Sequence, residues 1–202
     1  MKKLQLLVSS LCLFSSAVLA DVQQELQQKL QSVAQFNAQF NQQVLDADGE
    51  VIQQAKGELT VSRPDRFKWQ VTEPDEELVV SNGNTVWIYS PFVEQVTLLD
   101  QATAIEGTPF LLLASSDPKI WQKFDVSKKG QTYTITQDNP DAVIAEFVMT
   151  FNAKGELAAF SVKEAQGQSS EFSLSEFSTQ GNYQKSDFEF IVPQGVEIDD
   201  QR

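Results

Sequence analysis

Residues 58–71 of the chain read ELTVSRPDRFKWQV, with the two-residue period of a β-strand on both sides of a break at Arg63 and Pro64. Phe67 and Trp69 alternate with polar residues, so one face of this strand is apolar and the other is polar. An arginine therefore stands just before the most apolar strand face in the sequence. In a chain with a net charge of −13, the position of this cation needs a physical reason.

Strand-like runs with the same period occupy most of the chain around this stretch. The sequence SNGNT at residues 81–85 is typical of a tight hairpin, because asparagine and glycine accept the positive φ that such turns need. Short strands joined by tight turns predict an antiparallel meander that curls into a barrel or half-barrel, a mainly β (α+β) fold. The predicted strands cover residues 40–45, 51–62, 66–71, 78–80, 85–89, 94–98, 124–127, 132–136, 144–151, 157–163, 170–177 and 188–192.

A helix is predicted before the first strand. Leu26, Leu30 and Val33, followed by Ala34 or Phe36, recur at helical spacing in a glutamine-rich stretch. This pattern indicates an amphipathic helix with one apolar face.

Residues 107–124, GTPFLLLASSDPKIWQKF, interrupt the strand pattern. Thr108 is a suitable helix cap, Pro109 suits the first helical position, and the residues after it are apolar on every side. A second short helix is expected after Asp117, with Pro118 as its first residue. Because a helix that is apolar all round must be covered all round, this segment is either an ordinary core helix or a lid over an apolar opening.

The first twenty residues have the pattern of a secretory signal peptide. Lys2 and Lys3 precede an apolar run that ends in small side chains at Ala20. The following stretch is polar and glutamine-rich, so we expect cleavage after Ala20, no stable membrane insertion and a single domain over residues 21–202. The only cysteine, Cys12, lies inside this signal, and the mature protein is therefore not expected to be lipidated.

The residue types that are missing exclude several functions. The chain has no histidine and, once the signal is removed, no cysteine. These absences exclude Ser-His-Asp triads, Cys-His pairs, the usual zinc sites, haem ligation and disulfides. The acidic balance excludes nucleic acid as a partner, because phosphate backbones require clustered Lys and Arg. The acidic runs at residues 73–77 and 197–200 are typical of solvated surface, and no catalytic residue, cofactor or metal site is predicted.

Aromatic residues are numerous, with 14 phenylalanines and 3 tryptophans. Val71 continues the apolar face of Phe67 and Trp69, and Trp87 shares a face with Tyr89 in the next hairpin. A sheet packed on one face is the commoner reason for such stripes. A curved sheet with surplus apolar inner surface can instead keep a cavity for an apolar ligand, and periodicity alone leaves both readings open.

Several blocks of the sequence resemble those of one known family. They are the RP…F.W block at residues 63–69, the NG.T.W.Y hairpin followed by PFVEQ at 82–95, TPF.L.A at 108–114, and VPQGV.IDDQR at 192–202. Together they resemble the LolA family of periplasmic outer-membrane lipoprotein carrier proteins, over essentially the whole mature chain.

The resemblance implies an incomplete, strongly curved antiparallel β-barrel, with an N-terminal helix and a short helical lid over a hydrophobic cavity. It implies a monomeric periplasmic chaperone without enzymatic activity. Such a chaperone binds the acyl chains of lipoproteins released from the inner membrane by an ABC-type complex and delivers them to an outer-membrane receptor lipoprotein. The receptor itself carries a lipidated cysteine, which residues 21–202 lack.

By the same resemblance, Arg63 binds backbone carbonyls of the lid helix at residues 108–114 and keeps the empty form closed. The end of a short helix leaves carbonyls unpaired, and the five donors of a guanidinium suit them. A rim salt bridge between Arg63 and an acid such as Asp65 is the alternative. The remaining candidate residues would line the cavity or form the lid: Phe67, Trp69, Val71, Trp87, Tyr89, Phe92, Phe110, Leu111, Leu112 and Leu113.

Two other functions stay open from the residues alone. The same fold could serve a lipid-sensing periplasmic regulator or receptor, and a sensor would be expected to signal through a second domain. A carboxylate hydrolase would need two acids about 5 to 9.5 Å apart along the cavity, whereas we expect an apolar wall.

Overall fold

The computed structural model describes residues 16–107, 112–115, 117–137, 139 and 142–202. The α-helices within these residues are α1 Ser16–Gln31, α2 Gln101–Gly107 and α3 Pro118–Trp121, and a 3₁₀ helix spans Lys185–Phe188. The strands are β1 Gln35–Leu45, β2 Val51–Ser62, β3 Arg66–Glu73, β4 Glu77–Ser81, β5 Thr85–Ser90, β6 Gln95–Asp100, β7 Asp125–Lys129, β8 Thr132–Thr136, β9 Ile144–Phe151, β10 Leu157–Glu164, β11 Ser169–Ser178 and β12 Glu197–Asp200.

All of these strands belong to one 12-stranded sheet with the order β12-β6-β5-β4-β3-β2-β1-β11-β10-β9-β8-β7. Neighbouring strands are antiparallel except β12, which runs parallel to β6. Strand β1 pairs with both β2 and β11 and so joins the two halves of the meander. Because β7 and β12 stand at opposite ends of this order, the sheet is an open, strongly curved half-barrel, which confirms the predicted fold class.

Two predicted elements differ from the structure. The strand predicted at residues 188–192 is wrong, because a 3₁₀ helix ends at Phe188, residues 189–192 form no regular element, and the chain pairs with the sheet again only at β12. Phe188 is 1% exposed, so its side chain is buried against the sheet without being part of a strand. The N-terminal helix ends at Gln31, so Val33, Ala34 and Phe36 lie beyond it, with Phe36 already in β1, and their helical spacing after Leu30 is coincidental. Helix α2 was not predicted.

Glycine is required at one position in the centre of the sheet. A Cβ on Gly57 in β2 would lie 1.9 Å from the backbone oxygen of Gln70 and 2.6 Å from Cζ of Phe40. The ring of Phe40 therefore lies over the bare backbone of β2. This close approach helps to bring aromatic side chains from different strands together on one face of the sheet.

The register between strands assigns the residues to the two faces. Phe67 pairs with Ser81 and Trp69 with Val79, and Val79 in turn pairs with Ile88. Because directly paired residues of an antiparallel sheet lie on the same side, these residues share the face that carries the main core. We call it the inner face, and we call the opposite side the outer face.

Candidate functional site

An aromatic cluster occupies the middle of the inner face. Trp69 stacks on Phe40 with ring centroids 3.9 Å apart, and Phe172 meets Trp69 edge to face at 5.1 Å. Phe160 stacks on Phe172 at 4.5 Å. These four rings come from β3, β1, β11 and β10, so the curvature of the sheet brings distant parts of the chain into one apolar surface.

A thin layer of helical structure covers this surface. Leu26 and Leu30 of α1 are buried in the same core, as are Leu112, Leu113 and Trp121. The side chain of Gln23 in α1 donates to the backbone oxygens of Trp121, at 2.5 Å, and Phe124, at 3.3 Å. Helix α1 and the segment around α3 therefore form one cover, held to the sheet mainly by apolar contacts.

Helix α1 is also fastened to the far end of the sheet. The carboxylate of Glu25 accepts hydrogen bonds from Lys128 Nζ at 2.6 Å and from the hydroxyl of Tyr133 at 2.7 Å. The hydrogen bond from Lys128 is the main reason that the pKa of Glu25 lies below its usual value. The same bond raises the pKa of Lys128. These contacts hold the cover in place at β7 and β8.

Arg63 lies where the sheet meets both parts of the cover, the chain just after α1 and the segment before α3. Its Nε donates to the carbonyl of Val33 at 3.1 Å, and its backbone N–H donates to the carbonyl of Ala34 at 2.8 Å. The backbone N–H of Asp65 donates to the carbonyl of Ala114 at 3.1 Å. The turn that carries Arg63 thus binds the chain just after α1 and the described end of the predicted lid.

The guanidinium of Arg63 is largely desolvated. Burial lowers its pKa to about 10, and the negative charge of Asp65 opposes part of this drop. The side chain is therefore cationic at neutral pH. Its Nη1 is buried and has no hydrogen-bond partner among the described residues. Asp65 thus acts electrostatically on Arg63, whereas the described side-chain hydrogen bond of Arg63 goes to the carbonyl of Val33.

Most candidate residues on the apolar strand and the lid lie in the main core. Phe67 is 2% exposed and Trp69 is 6% exposed, and Val71 is partly buried against them. Leu112 and Leu113 are also buried in this core. Phe110 and Leu111 lie outside the described residues. The structure therefore brings β3 and the end of the predicted lid, residues 112–114, into the same core.

Trp87 and Tyr89 lie on the outer face of the sheet. The prediction that they line the same surface as Phe67 and Trp69 was therefore wrong. Val80 pairs with Trp87 and Lys68 pairs with Val80, which places Trp87 on the outer face. Alternation shows which residues of a strand share a face, but only the register between strands decides which face meets the core. Phe92 lies outside the core as well, in the turn between β5 and β6, and is 85% exposed.

The outer face has a small apolar cluster of its own. Val80, Val96, Leu98 and Phe188 are buried but lie outside the main core. The C-terminal segment covers this side of the sheet, with the ring of Phe190 centred 5.2 Å from that of Tyr89. Trp87 and Tyr89 are therefore half-buried against the C-terminal segment rather than against the cover.

The sequence analysis did not select Phe40, Phe160 or Phe172, although they are three of the four rings in the aromatic cluster. Phe40 lies two residues after the buried Ala38 in β1, and this two-residue period was the signal available in the sequence. Nothing local distinguishes such a residue from any other inward-facing strand residue. Its stacking on Trp69 depends on the pairing of β1 with β2 and of β2 with β3.

The inner face offers little polar chemistry. No Asp or Glu is buried among the described residues, and the same part of the chain holds no cluster of potential metal ligands. A hollow of about 420 Å³ lies on the outer face and has a mixed lining, with polar residues such as Asn41, Gln43 and Ser173 beside apolar ones such as Val148 and Ala159. Within the described residues, no helix has the length and apolar composition needed to cross a membrane. The extended apolar surface is therefore the inner aromatic face.

Comparison with known sequences gives a consistent result. Residues 31–191 match the family model described as outer membrane lipoprotein carrier protein LolA. An outer-membrane lipoprotein carrier protein of Aeromonas salmonicida is 48% identical over 202 residues, which is the full length of both chains. A protein with the same description from Aliivibrio fischeri is 42% identical over 193 residues, or 96% of this chain and 97% of the relative.

Solved structures share the fold at low sequence identity. An uncharacterized conserved protein from Thermus thermophilus has a TM-score of 0.57 at 10% identity, with 88% of this chain and 98% of that chain covered. A putative outer membrane lipoprotein-sorting protein domain from Vibrio parahaemolyticus has a TM-score of 0.53 at 14% identity, with 86% and 97% covered.

Proposed function

The chain belongs to the LolA family of outer-membrane lipoprotein carrier proteins, and from this premise we propose that it binds the acyl chains of lipoproteins against the inner face of its sheet. The observation that carries this proposal is the apolar surface built by Phe40, Trp69 and Phe172, which only one layer of helical structure covers. An acyl chain can take the place of that layer without meeting a buried carboxylate among the described residues.

The energies favour exchange between cover and cargo. Withdrawing Leu112 and Leu113 from the core costs about 1.5–3 kcal/mol for each side chain. Burying an acyl chain of about 15 methylenes recovers roughly 0.8 kcal/mol for each methylene that leaves water. One well-buried chain therefore offsets the opening of the cover. The closed form still competes with cargo, so the affinity stays low enough for release.

Arg63 is the residue that we assign to control this competition. Its bond to Val33 and the neighbouring bond from Asp65 to Ala114 hold the cover at one corner. A charged hydrogen bond of this kind contributes about 1.5–3 kcal/mol, which cargo can overcome. The proposed lining residues are Phe67, Trp69, Val71, Leu112 and Leu113, with Phe110 and Leu111 as further members outside the described residues.

The route of the cargo follows from the same proposal. The mature domain, residues 21–202 after cleavage at Ala20, works in the periplasm as a monomer. It receives lipoproteins from an ABC-type releasing complex of the inner membrane and delivers them to a receptor lipoprotein of the outer membrane. It acts by binding and release, without a catalytic step.

A reconstituted release assay tests this function. Inner-membrane vesicles that contain the releasing complex and a radiolabelled lipoprotein are incubated with ATP and the purified protein. We expect the label to leave the vesicles in a 1:1 complex with the protein, whereas a non-acylated form of the same lipoprotein, the matched control, should form no such complex. Label that stays in the vesicles, or equal binding of the non-acylated form, would contradict the proposal.

A further inference from the structure

Three exposed apolar side chains lie at the end of the sheet where β5 turns into β6. Phe92 is 85% exposed, Val93 is 59% exposed and Ile191 is 87% exposed. We call these three residues the apolar tip. Single exposed apolar residues are ordinary, but a contiguous group is typical of an interaction site.

One ring contact and one main-chain hydrogen bond bring the segments that carry these three residues together. The ring of Phe190 contacts that of Tyr89 in β5, and the backbone N–H of Glu197 donates to the carbonyl of Glu94 at 2.8 Å. The segment between these two contacts, residues 191–196, must therefore lie next to the turn at residues 91–94.

The turn itself is well ordered by hydrogen bonds. The backbone N–H of Glu94 donates to the carbonyl of Pro91 at 3.2 Å, which closes the turn. Glu94 also links the turn to β12 through its bond with Glu197. A side chain presented by a closed turn loses little conformational entropy on binding, which favours Phe92 as an anchor.

The surroundings of the tip are acidic. Glu94 and Glu197 are both exposed beside it. The β3–β4 turn lies at the same end of the sheet, because β3 and β5 run in the same direction, and it contains Asp75 and Glu76. The tip segments, residues 91–94 and 191–197, contain no lysine or arginine.

We propose that the apolar tip docks into a protein surface that has an apolar socket bordered by lysine and arginine. A second copy of this chain would bring acid against acid, and an anionic membrane surface would repel the flanking carboxylates. A basic border instead attracts Glu94 and Glu197 and raises the rate of association. Because the tip lies outside the main core, docking leaves the inner face free for cargo.

Binding to two purified membrane proteins tests this docking surface, and the choice of these probes rests on the proposed function. The releasing complex and the outer-membrane receptor are each placed in nanodiscs of zwitterionic lipid, and binding of the full protein is measured by biolayer interferometry. We expect tight binding to at least one of them. Phe92→Ala should weaken it by roughly 30-fold, the scale of an aromatic hot spot.

The chain offers a matched control for the apolar contact. Val93→Ala in the tip should weaken binding, whereas Val143→Ala, which removes the same two methyl groups at a position that is 65% exposed elsewhere, should not. The double variant Glu94→Gln and Glu197→Gln should associate more slowly at low salt and lose most of its salt dependence.

Each other outcome has a definite meaning. Equal binding by Phe92→Ala and the unchanged protein would overturn the docking surface alone. The unchanged protein could instead dimerise in analytical ultracentrifugation or bind empty anionic nanodiscs. If Phe92→Ala abolishes either behaviour, the tip contacts a second copy of the chain or a membrane, and the proposal is overturned. If the unchanged protein binds neither probe, docking fails together with the proposed route. Displacement of a fluorescent fatty acid measures acyl-chain binding separately from docking. We expect Phe92→Ala and the unchanged protein to give the same result in that assay.

Discussion

Replacing Arg63 by leucine tests how the closed and the loaded forms are balanced. In the structure, Nε of Arg63 donates to the carbonyl of Val33 at 3.1 Å. This bond contributes about 1.5–3 kcal/mol after exchange with water is counted. Because it exists in the closed form, Arg63→Leu should lower the free energy of unfolding of the empty protein by no more than about 3 kcal/mol. Urea denaturation measures this change.

Losing the hydrogen bond between Arg63 and Val33 should also increase the affinity for cargo. If the bond stabilises the closed form against the loaded form, its removal favours the loaded form by the same 1.5–3 kcal/mol, or roughly 10- to 150-fold in affinity. The variant should therefore accept lipoprotein and pass it on slowly. The assay follows the transfer of a radiolabelled lipoprotein from the loaded protein to liposomes that contain the receptor.

Arg66→Leu is the matched control for this experiment. Arg66 lies three residues further along, and its described hydrogen bonds go to Ser62 and to the carbonyl of Arg63, not to α1 or residues 112–114. It should deliver cargo at the normal rate. Normal delivery by Arg63→Leu would refute the latch, and equal slowing in both variants would indicate a general disturbance of the rim.

Three further changes have definite expectations. Phe67→Glu should prevent acyl-chain loading, because a carboxylate on the apolar inner face costs several kcal/mol. Loading is measured by binding and displacement of a fluorescent fatty acid. If the variant binds this probe as well as the unchanged protein does, Phe67 does not line the acyl-chain site. Gly57→Ala should lower the free energy of unfolding by at least about 1–3 kcal/mol, because its Cβ would lie 1.9 Å from the backbone oxygen of Gln70 and 2.6 Å from Cζ of Phe40. An unchanged urea midpoint would contradict this packing. Glu25→Gln should lower the melting temperature at neutral pH but not at pH values well below 4.5. The hydrogen bond from Lys128 lowers the pKa of Glu25 in the folded protein. The stability that this bond contributes is therefore fully present above the ordinary pKa of glutamate and is lost as the pH falls through the lowered pKa of Glu25. A constant difference in melting temperature at every pH would count against this bond.

Local patterns predicted the strands well because alternation is a property of neighbouring residues. The predicted strand at residues 66–71 corresponds to β3, and the hairpin at SNGNT joins β4 to β5. The same patterns failed at residues 188–192, where Phe188 is buried by a 3₁₀ helix packed on the sheet. An apolar residue signals burial, and the type of backbone that buries it depends on contacts with distant residues.

The partner of Arg63 could not be predicted from the local pattern. The family resemblance implied that Arg63 binds carbonyls of residues 108–114, whereas its described side-chain hydrogen bond goes to the carbonyl of Val33. The carbonyl belongs to the chain just after α1, about thirty residues away, which local spacing cannot reveal. The predicted contact with residues 108–111 stays a prediction, because those residues lie outside the described part of the chain.

The sequence by itself determined which residue types are absent and which residues of each strand share a face, such as Trp87 with Tyr89 and Phe67 with Trp69. Only the tertiary structure decided that the first pair faces the C-terminal segment and the second pair faces the cover. The physical reason is that side-chain alternation is a property of one strand, whereas the face that meets the core depends on register between strands and on which segments pack against the sheet.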